Sequence, residues 1–250
     1  MLYIQEGVIM ELSKMKQDEV RSFINDKTIA LLPIGATEVH GNHLPLCTDV
    51  FLAEGVSRLV EGQYGKDEVL VLPSVNYGQV WSLGKTVGTV DIPDDVLVPY
   101  LVSIVMSMWR SGIKRFAFIN AHVGNAAAIK TAMRKSQELC GIKTYSFTYP
   151  GAEEMIAKVC TTRRPHKAYF HACEIETSYM LYLAPEYVDM QKAIKQYPDF
   201  PADFDYTPTR WTEFMTTAVM GDATAASYEK GKAIIDFAVS NIVRILRAGE

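Results

Sequence analysis

Five histidines occur in the sequence, and two of them fall in the stretch Glu38-Val39-His40-Gly41-Asn42-His43, with Asp49 six residues further on. Carboxylate oxygens and imidazole nitrogens in this mixture suit zinc, manganese or iron. In an extended segment residues 38 and 40 project to the same side, so one short loop presents a carboxylate and an imidazole to a common centre. Asp49 adds a third donor. A second group, Asn120-Ala121-His122-Val123-Gly124-Asn125, offers another imidazole in a turn that Gly124 allows to bend sharply. A third, His171-Ala172-Cys173-Glu174-Ile175-Glu176-Thr177-Ser178, carries one imidazole and two carboxylates. If that stretch is helical throughout, His171 and Glu174 share a face while Glu176 points elsewhere. Each group taken alone also fits an ordinary role: solvated loop residues, turn and cap formers, or acids at a helix start. Their co-occurrence favours a metal site.

Such donors converge only if the fold delivers them. The apolar runs Ile29 to Ile34 and Phe116 to Ile119 stand directly before the first two groups, which places both groups at strand exits. Expected strands are 28–34, 69–72, 116–120 and 143–147; expected helices are 50–60, 96–111, 126–139, 174–182 and 226–247. Strand and helix in alternation imply right-handed crossovers and an α/β fold, a three-layer α/β/α sandwich with a mostly parallel central sheet. Sites in such sheets gather at the carboxyl ends of strands. The stretch from Tyr197 to Thr212, with three prolines and several aromatics, reads as an irregular cover for a site or an interface.

A chain of 250 residues with 48% hydrophobic content can bury one sizeable core, and a single domain over 1–250 is expected. The net charge of -4 excludes a sequence-independent nucleic-acid binder, which needs clustered basic charge. A small-molecule substrate fits better. Glu6, Glu11 and Lys14 break up any secretion signal, and the longest apolar stretch, 96–109, is too short to cross a bilayer. A cytoplasmic protein without a membrane partner is expected. The four cysteines contain no C-x-x-C pair and read as reduced thiols, with Cys47 and Cys173 beside proposed ligands.

Together, the segment from Leu32 to Asp49, Asn120 to Asn125, His171 to Ser178, and more weakly Gly88-Thr89, Gly221-Asp222 and Glu229-Lys230-Gly231, resemble the creatininase (creatinine amidohydrolase) family of binuclear metal hydrolases. The resemblance runs from about residue 28 to 232. It implies two divalent metal ions (zinc, manganese or iron), with Glu38 and His122 on one, His40 on the other and Asp49 bridging them. Creatinine-hydrolysing members look as if they carry a glutamate where this chain has Gly124, whereas other members carry one in the His-x-x-Glu segment. That makes Glu174 the expected second-metal ligand and a catalytic residue.

The chemistry the resemblance implies is hydrolysis of a cyclic amide or other non-peptide C-N bond by a water that two dications acidify. His171, titrating near neutrality, is the expected proton donor, with Glu176 as its competitor. His43, Asn120, Asn125 and Glu176 are expected to orient ligands or substrate. His166, beside Arg163, Arg164 and Lys167, reads as an exposed loop residue or anion contact. The alternatives are a different substrate on the same scaffold, by keto-cyclitol ring opening or peptide trimming, and a catalytically silent binding protein. The absence of a Trp near His171, Ala121 and Val123 in place of common glycines, and Asn42 in place of a common proline all depart from the creatinine-hydrolysing pattern. Family members resemble hexamers built as trimers of dimers, so a homo-oligomer is expected, with the aromatics of 197–212 buried against a neighbour.

Overall fold

A computed structural model describes residues 10–249. The first nine residues, among them the Glu6 expected to break up a secretion signal, and Glu250 lie outside the described residues. The central sheet holds β1 (Ile29–Ile34), β2 (Val69–Val71), β3 (Arg115–Asn120) and β4 (Lys143–Phe147), all parallel, in the order β2-β1-β3-β4. Around it run α1 (Gln17–Phe23), α2 (Thr48–Tyr64), α3 (Asp94–Arg110), α4 (Ala126–Cys140), α5 (Ala152–Val159), α6 (Glu174–Leu183) and α7 (Tyr228–Ala248). A two-residue antiparallel pair, β5 (Lys195–Gln196) with β6 (Gly221–Asp222), stands apart.

The period-two alternation of the strands sorts the core into two layers. Ile29 and Leu31 of β1, with Ala117 and Ile119 of β3, face α2, α6 and α7. Ala30, Leu32, Ile34, Phe116 and Phe118 face α3 and α4. Both faces of β1 are therefore buried, as its unbroken apolar run requires of a central parallel strand. This is the three-layer α/β/α arrangement expected from the sequence. Pro33 sits inside β1, where a missing N–H normally breaks a ladder. Its carbonyl accepts Val75 N–H at 2.9 Å, so the absent donor faces the side on which β2 has already ended at Val71.

Two short helices escaped the sequence-based expectation. α1 buries no residue completely, and α5 follows Gly151 directly after the turn that ends β4. Among the described residues no helix is long and apolar enough to cross a membrane. The segment 197–212 is irregular, as expected, and three of its aromatics pack on their own chain, while Tyr206 stands exposed. Phe200, Phe204 and Trp211 pack with Tyr169 and Phe214 on their own chain, closing a third cluster around Val80, Leu83 and Met220. His166 belongs to that packing as well, stacked 5.2 Å from Tyr169 and paired with Asp205 at 3.2 Å, so it is neither exposed nor a free anion contact.

Candidate metal centre

β1 and β3 are neighbours, yet the chain leaves β1 toward β2 on one side and leaves β3 toward β4 on the other. Their exit loops diverge and open a crevice at the carboxyl edge of the sheet, the usual ligand position in such folds. The β1 exit is pinned by Glu38 N–H to Leu46 O at 2.9 Å and by Val39 N–H to the Thr89 hydroxyl at 3.1 Å. It carries Glu38 and His40 into the crevice. Asp49 enters from the first turn of α2, His122 from just beyond β3, and Glu176 from the first turn of α6.

Their polar atoms converge. His122 Nδ1 lies 3.0 Å from Glu38 Oε1 and 3.1 Å from Asp49 Oδ2. His40 Nε2 lies 3.3 Å from Asp49 Oδ1 and 3.9 Å from Glu176 Oε2. Two compact triads result, Glu38-Asp49-His122 and His40-Asp49-Glu176, which share Asp49. A third grouping joins Glu38, His40 and His171. All these side chains are buried. Glu38 Oε2, His40 Nε2 and Asp49 Oδ2 make no well-aligned hydrogen bond among the described residues, although Asp49 and His122 respectively approach the last two closely. Buried polar atoms are nearly always satisfied, so three such orphans converging in one cluster mark a place built for an electrophile.

The far side of each imidazole supports the same reading. His122 Nε2 is 2.8 Å from Gln79 O, His171 Nε2 is 2.8 Å from Val39 O, and His40 Nδ1 is 3.2 Å from Glu38 O. A carbonyl only accepts, so each of these nitrogens carries a hydrogen and the opposite nitrogen faces the crevice, where it can take either a proton or a cation. Burial disfavours charge on His40, but Asp49, Glu38 and Glu176 overcome it and raise its pKa to about 10. Burial opposed by Glu38 and Asp49 leaves His122 well above the ordinary imidazole range. These protons stand in for positive charge that a cation would supply. Burial raises Glu176 to about 7, with His40 acting against the rise and Asp49 adding to it. Burial and the nearby His40 lower His171 to about 4, so it is neutral at physiological pH instead of titrating near it.

One expected ligand is not in this cluster. Glu174 turns away from the crevice. Its carboxylate accepts from the backbone N–H of Thr161 at 2.9 Å and of Thr162 at 3.0 Å, from the Thr162 hydroxyl at 2.5 Å, and from Lys230 Nζ at 2.5 Å. The reason is the helix boundary. His171 precedes α6, held in an isolated bridge to Met220, and Ala172 takes a left-handed φ of 47° before the helix starts at Glu174. The three-residue face rule therefore does not extend from 171 to 174. Glu176 folds back to accept Ala172 N–H at 2.5 Å and brings Oε2 into the crevice.

The remaining expected residues act as supports. Asn120 donates to His122 O at 2.8 Å and to the Thr148 hydroxyl at 3.1 Å. Asn125 donates to Gly35 O at 2.9 Å and accepts Gln79 N–H at 3.0 Å, which holds the carbonyl that orients His122. His43 Nε2 is 2.9 Å from the Thr177 hydroxyl, tying the β1 exit to α6. Cys47 and Cys173 are the residues preceding α2 and α6. At Gly124 an added Cβ would stand 2.2 Å from Gln79 O and 2.4 Å from His122 Nε2, so no side chain fits there without displacing the His122 support.

A cavity of about 800 Å³ opens onto Glu38, His122, His171 and Glu176. Trp81, Tyr169, Phe204 and Trp211 wall it on one side, and the β4 exit with Tyr149 and the start of α5 on another. Tyr149 and Tyr179 were missed in the sequence. The signal for Tyr149 was present, because Thr148-Tyr149-Pro150-Gly151 follows an expected strand just as the ligand-bearing loops do.

Residues 13–246 match the family model described as creatinine amidohydrolase. Among characterised proteins, the chain is 26% identical to the 3-dehydro-scyllo-inosose hydrolase of Thermotoga maritima, across 96% of this chain and 83% of that one. It is 26% identical to the creatinine amidohydrolase of Pseudomonas putida over 93% of each. It is 29% identical to the mycofactocin precursor peptide peptidase of Mycobacterium tuberculosis, over 86% of this chain and 82% of the other. In three dimensions it resembles a mutant creatininase of Zn-Zn type, with a TM-score of 0.87, 23% identity, and 97% and 99% of the two chains covered. A manganese creatininase gives 0.83 at 23% identity, covering 96% and 98%.

Proposed function

The chain belongs to the creatininase family of hydrolases, and we propose that it is a binuclear metal-dependent hydrolase cleaving an amide-like, non-peptide C-N bond of a small molecule. The observation that carries this reading is Asp49, whose two oxygens serve two separate triads. Glu38, Asp49 and His122 would hold one divalent cation, and His40, Asp49 and Glu176 the other. Glu176 takes the place expected of Glu174. The oxygen-rich donor set with one imidazole per triad suits zinc, manganese or iron. Bound there, two dications would lower the pKa of a water and polarise the scissile carbonyl.

The chain's own residues supply the rest. Gln79 and Val39 carbonyls fix the tautomers of His122 and His171, so neither ring spends part of its time misprotonated. His171, held neutral by burial, presents Nδ1 3.9 Å from Glu38 and 4.0 Å from Glu176. From there it accepts a proton released at the crevice and returns it to the leaving nitrogen. Phe204 and Trp211 give the same cavity an apolar wall beside His171.

Two observations favour a substrate other than creatinine. The backbone at Gly124 leaves no room for the glutamate of the creatinine-hydrolysing pattern. The cavity, at about 800 Å³, belongs to the range that holds drug-sized ligands and exceeds what one small ring fills. Both support the second reading, a different substrate on the same scaffold by keto-cyclitol ring opening or peptide trimming, and two of the similar proteins are named for an inosose and for a peptide. Elemental analysis of protein purified without chelator tests the metal reading, with about two metals per chain expected. One metal or none after reloading refutes it.

A further inference from the structure

The lining of the cavity contains two groups that the metal reading leaves unused. The hydroxyls of Tyr149 and Tyr179 are buried and have no hydrogen-bond partner among the described residues. Their rings touch, with centroids 4.9 Å apart at 46°, and both residues line the cavity that also holds Glu38, His122 and Glu176. A phenol buried without a partner destabilises the fold, and native proteins retain few such groups.

Tyr149 is also held in an unusual backbone conformation. Its φ is 45°, a left-handed value that is an outlier for a bulky residue. The following residues lock it there. Tyr149 O accepts Ala152 N–H at 3.0 Å across Pro150 and Gly151, and Gly151 has φ 81°, the pattern of a type II turn with proline and glycine at its centre. Asn241 of α7 donates to Pro150 O at 3.2 Å and ties the turn to the body of the fold. Strain that the surroundings over-determine in this way collects at sites of function. The turn leaves β4 at the same edge of the sheet from which β1 and β3 deliver Glu38, His40 and His122.

We propose that Tyr149 contacts the substrate, its phenol donating a hydrogen bond to an oxygen of the substrate beside the group that is cleaved. The substrate then carries a carbonyl, hydroxyl or carboxylate oxygen near its scissile bond, and not an ammonium group, at that position. Burial first, then Tyr179, Asp49 and Glu176, push the Tyr149 phenol well above its ordinary value of 10.0, so it keeps its proton and remains a donor. Tyr179, fully buried behind it, supports the ring.

The inference rests on the binuclear reading, and the test separates the two. Acetohydroxamate serves as a probe of the metal centre alone. Glycolohydroxamate, N-acetylglycine hydroxamate and succinic monohydroxamate add a hydroxyl, carbonyl or carboxylate oxygen at increasing reach. Affinities are measured by calorimetry on metal-loaded wild type, Tyr149→Phe and Tyr179→Phe, with metal content and melting temperature recorded for each. The expected result is that Tyr149→Phe keeps its metal, melts no lower than wild type and binds acetohydroxamate unchanged. It loses about tenfold affinity for at least one extended probe, the scale of a single lost hydrogen bond. Normal metal content with unchanged affinity for every extended probe overturns the inference and leaves the metal reading standing. A lower melting temperature with equal weakening of all four probes also overturns it, because the hydroxyl is then structural. Failure of wild type to hold metal or bind acetohydroxamate overturns the binuclear reading, and this inference with it.

Discussion

Glu174 and Glu176 stand two residues apart, and exchanging either for glutamine should damage the protein in different ways. Glu174 is buried, and its carboxylate gathers two backbone amides, the Thr161 and Thr162 hydroxyls and the Lys230 ammonium. An amide at that position places N–H donors against donors and leaves the Lys230 charge without its partner. Breaking a buried pair from one side costs about 3–5 kcal/mol. In a domain of this size each kcal/mol moves the melting temperature by about 2–4 °C, so Glu174→Gln should melt roughly 6–20 °C lower. The metal content of the folded variant should stay near wild type. Glu176→Gln, by contrast, removes the carboxylate that α6 adds to His40 and Asp49, and should leave about one metal per chain with a smaller change in melting. The pH dependence adds a check. Burial works to raise the Glu174 pKa, but Lys230 and the threonine donors lower it from 4.5 to about 2. A carboxyl depressed on folding stabilises fully above its unfolded pKa and loses that contribution as pH falls through the folded one. The stability gap between wild type and Glu174→Gln should therefore be constant above about pH 4.5 and narrow toward pH 2. Calorimetric melting paired with elemental analysis reads both effects. Equal metal loss in the two variants, with unchanged melting of Glu174→Gln, would refute the assignment.

Other consequences follow from the same geometry. Asp49→Ala should strip both metals, because each triad loses a ligand, whereas His40→Ala should mainly weaken one, as elemental analysis after dialysis will show. Gly124→Ala places a methyl 2.2 Å from Gln79 O and should cost about 1–3 kcal/mol of stability by overpacking. Displacing the carbonyl behind His122 should also weaken metal binding at that triad by about 10–100-fold, measured by chelator competition; wild-type affinity would sink the supporting role of Gln79. We expect a homohexamer assembled as a trimer of dimers, and a clean monomer mass in light scattering at micromolar concentration would refute it. Because Phe204 packs on Phe200, Phe214 and Tyr169 of its own chain, Phe204→Ser should lower melting without changing that mass.

What could be read from the sequence was what depends on local pattern. The apolar runs of β1 and β3 announced a buried parallel sheet, and the polar groups after them announced the edge at which a site forms, because strand period and crossover handedness leave few alternatives. Glu38, His40, Asp49 and His122 were identifiable because each stands within a few residues of a strand end or in a first helical turn. Glu174 was misplaced for a reason of the same kind. A face rule holds only inside one helix; α6 begins at Glu174, where the sequence expects it, so His171 lies outside it, and nothing local in His171-Ala172-Cys173 shows that Ala172 turns left-handed just before the helix. The decisive partners of Glu174 lie far off in the chain, at Thr161, Thr162 and Lys230. The Lys230-Gly231 pair shows how a weak motif gains meaning from such contacts. Lys230 neutralises the buried Glu174, and a Cβ on Gly231 would stand 1.8 Å from Ser178 O, so the pair lets α7 lie against α6 and fixes the helix whose first turn carries Glu176. A motif more than fifty residues away thus sets the position of a proposed ligand through backbone contact and one ion pair, and its function becomes visible only when the two helices are seen together.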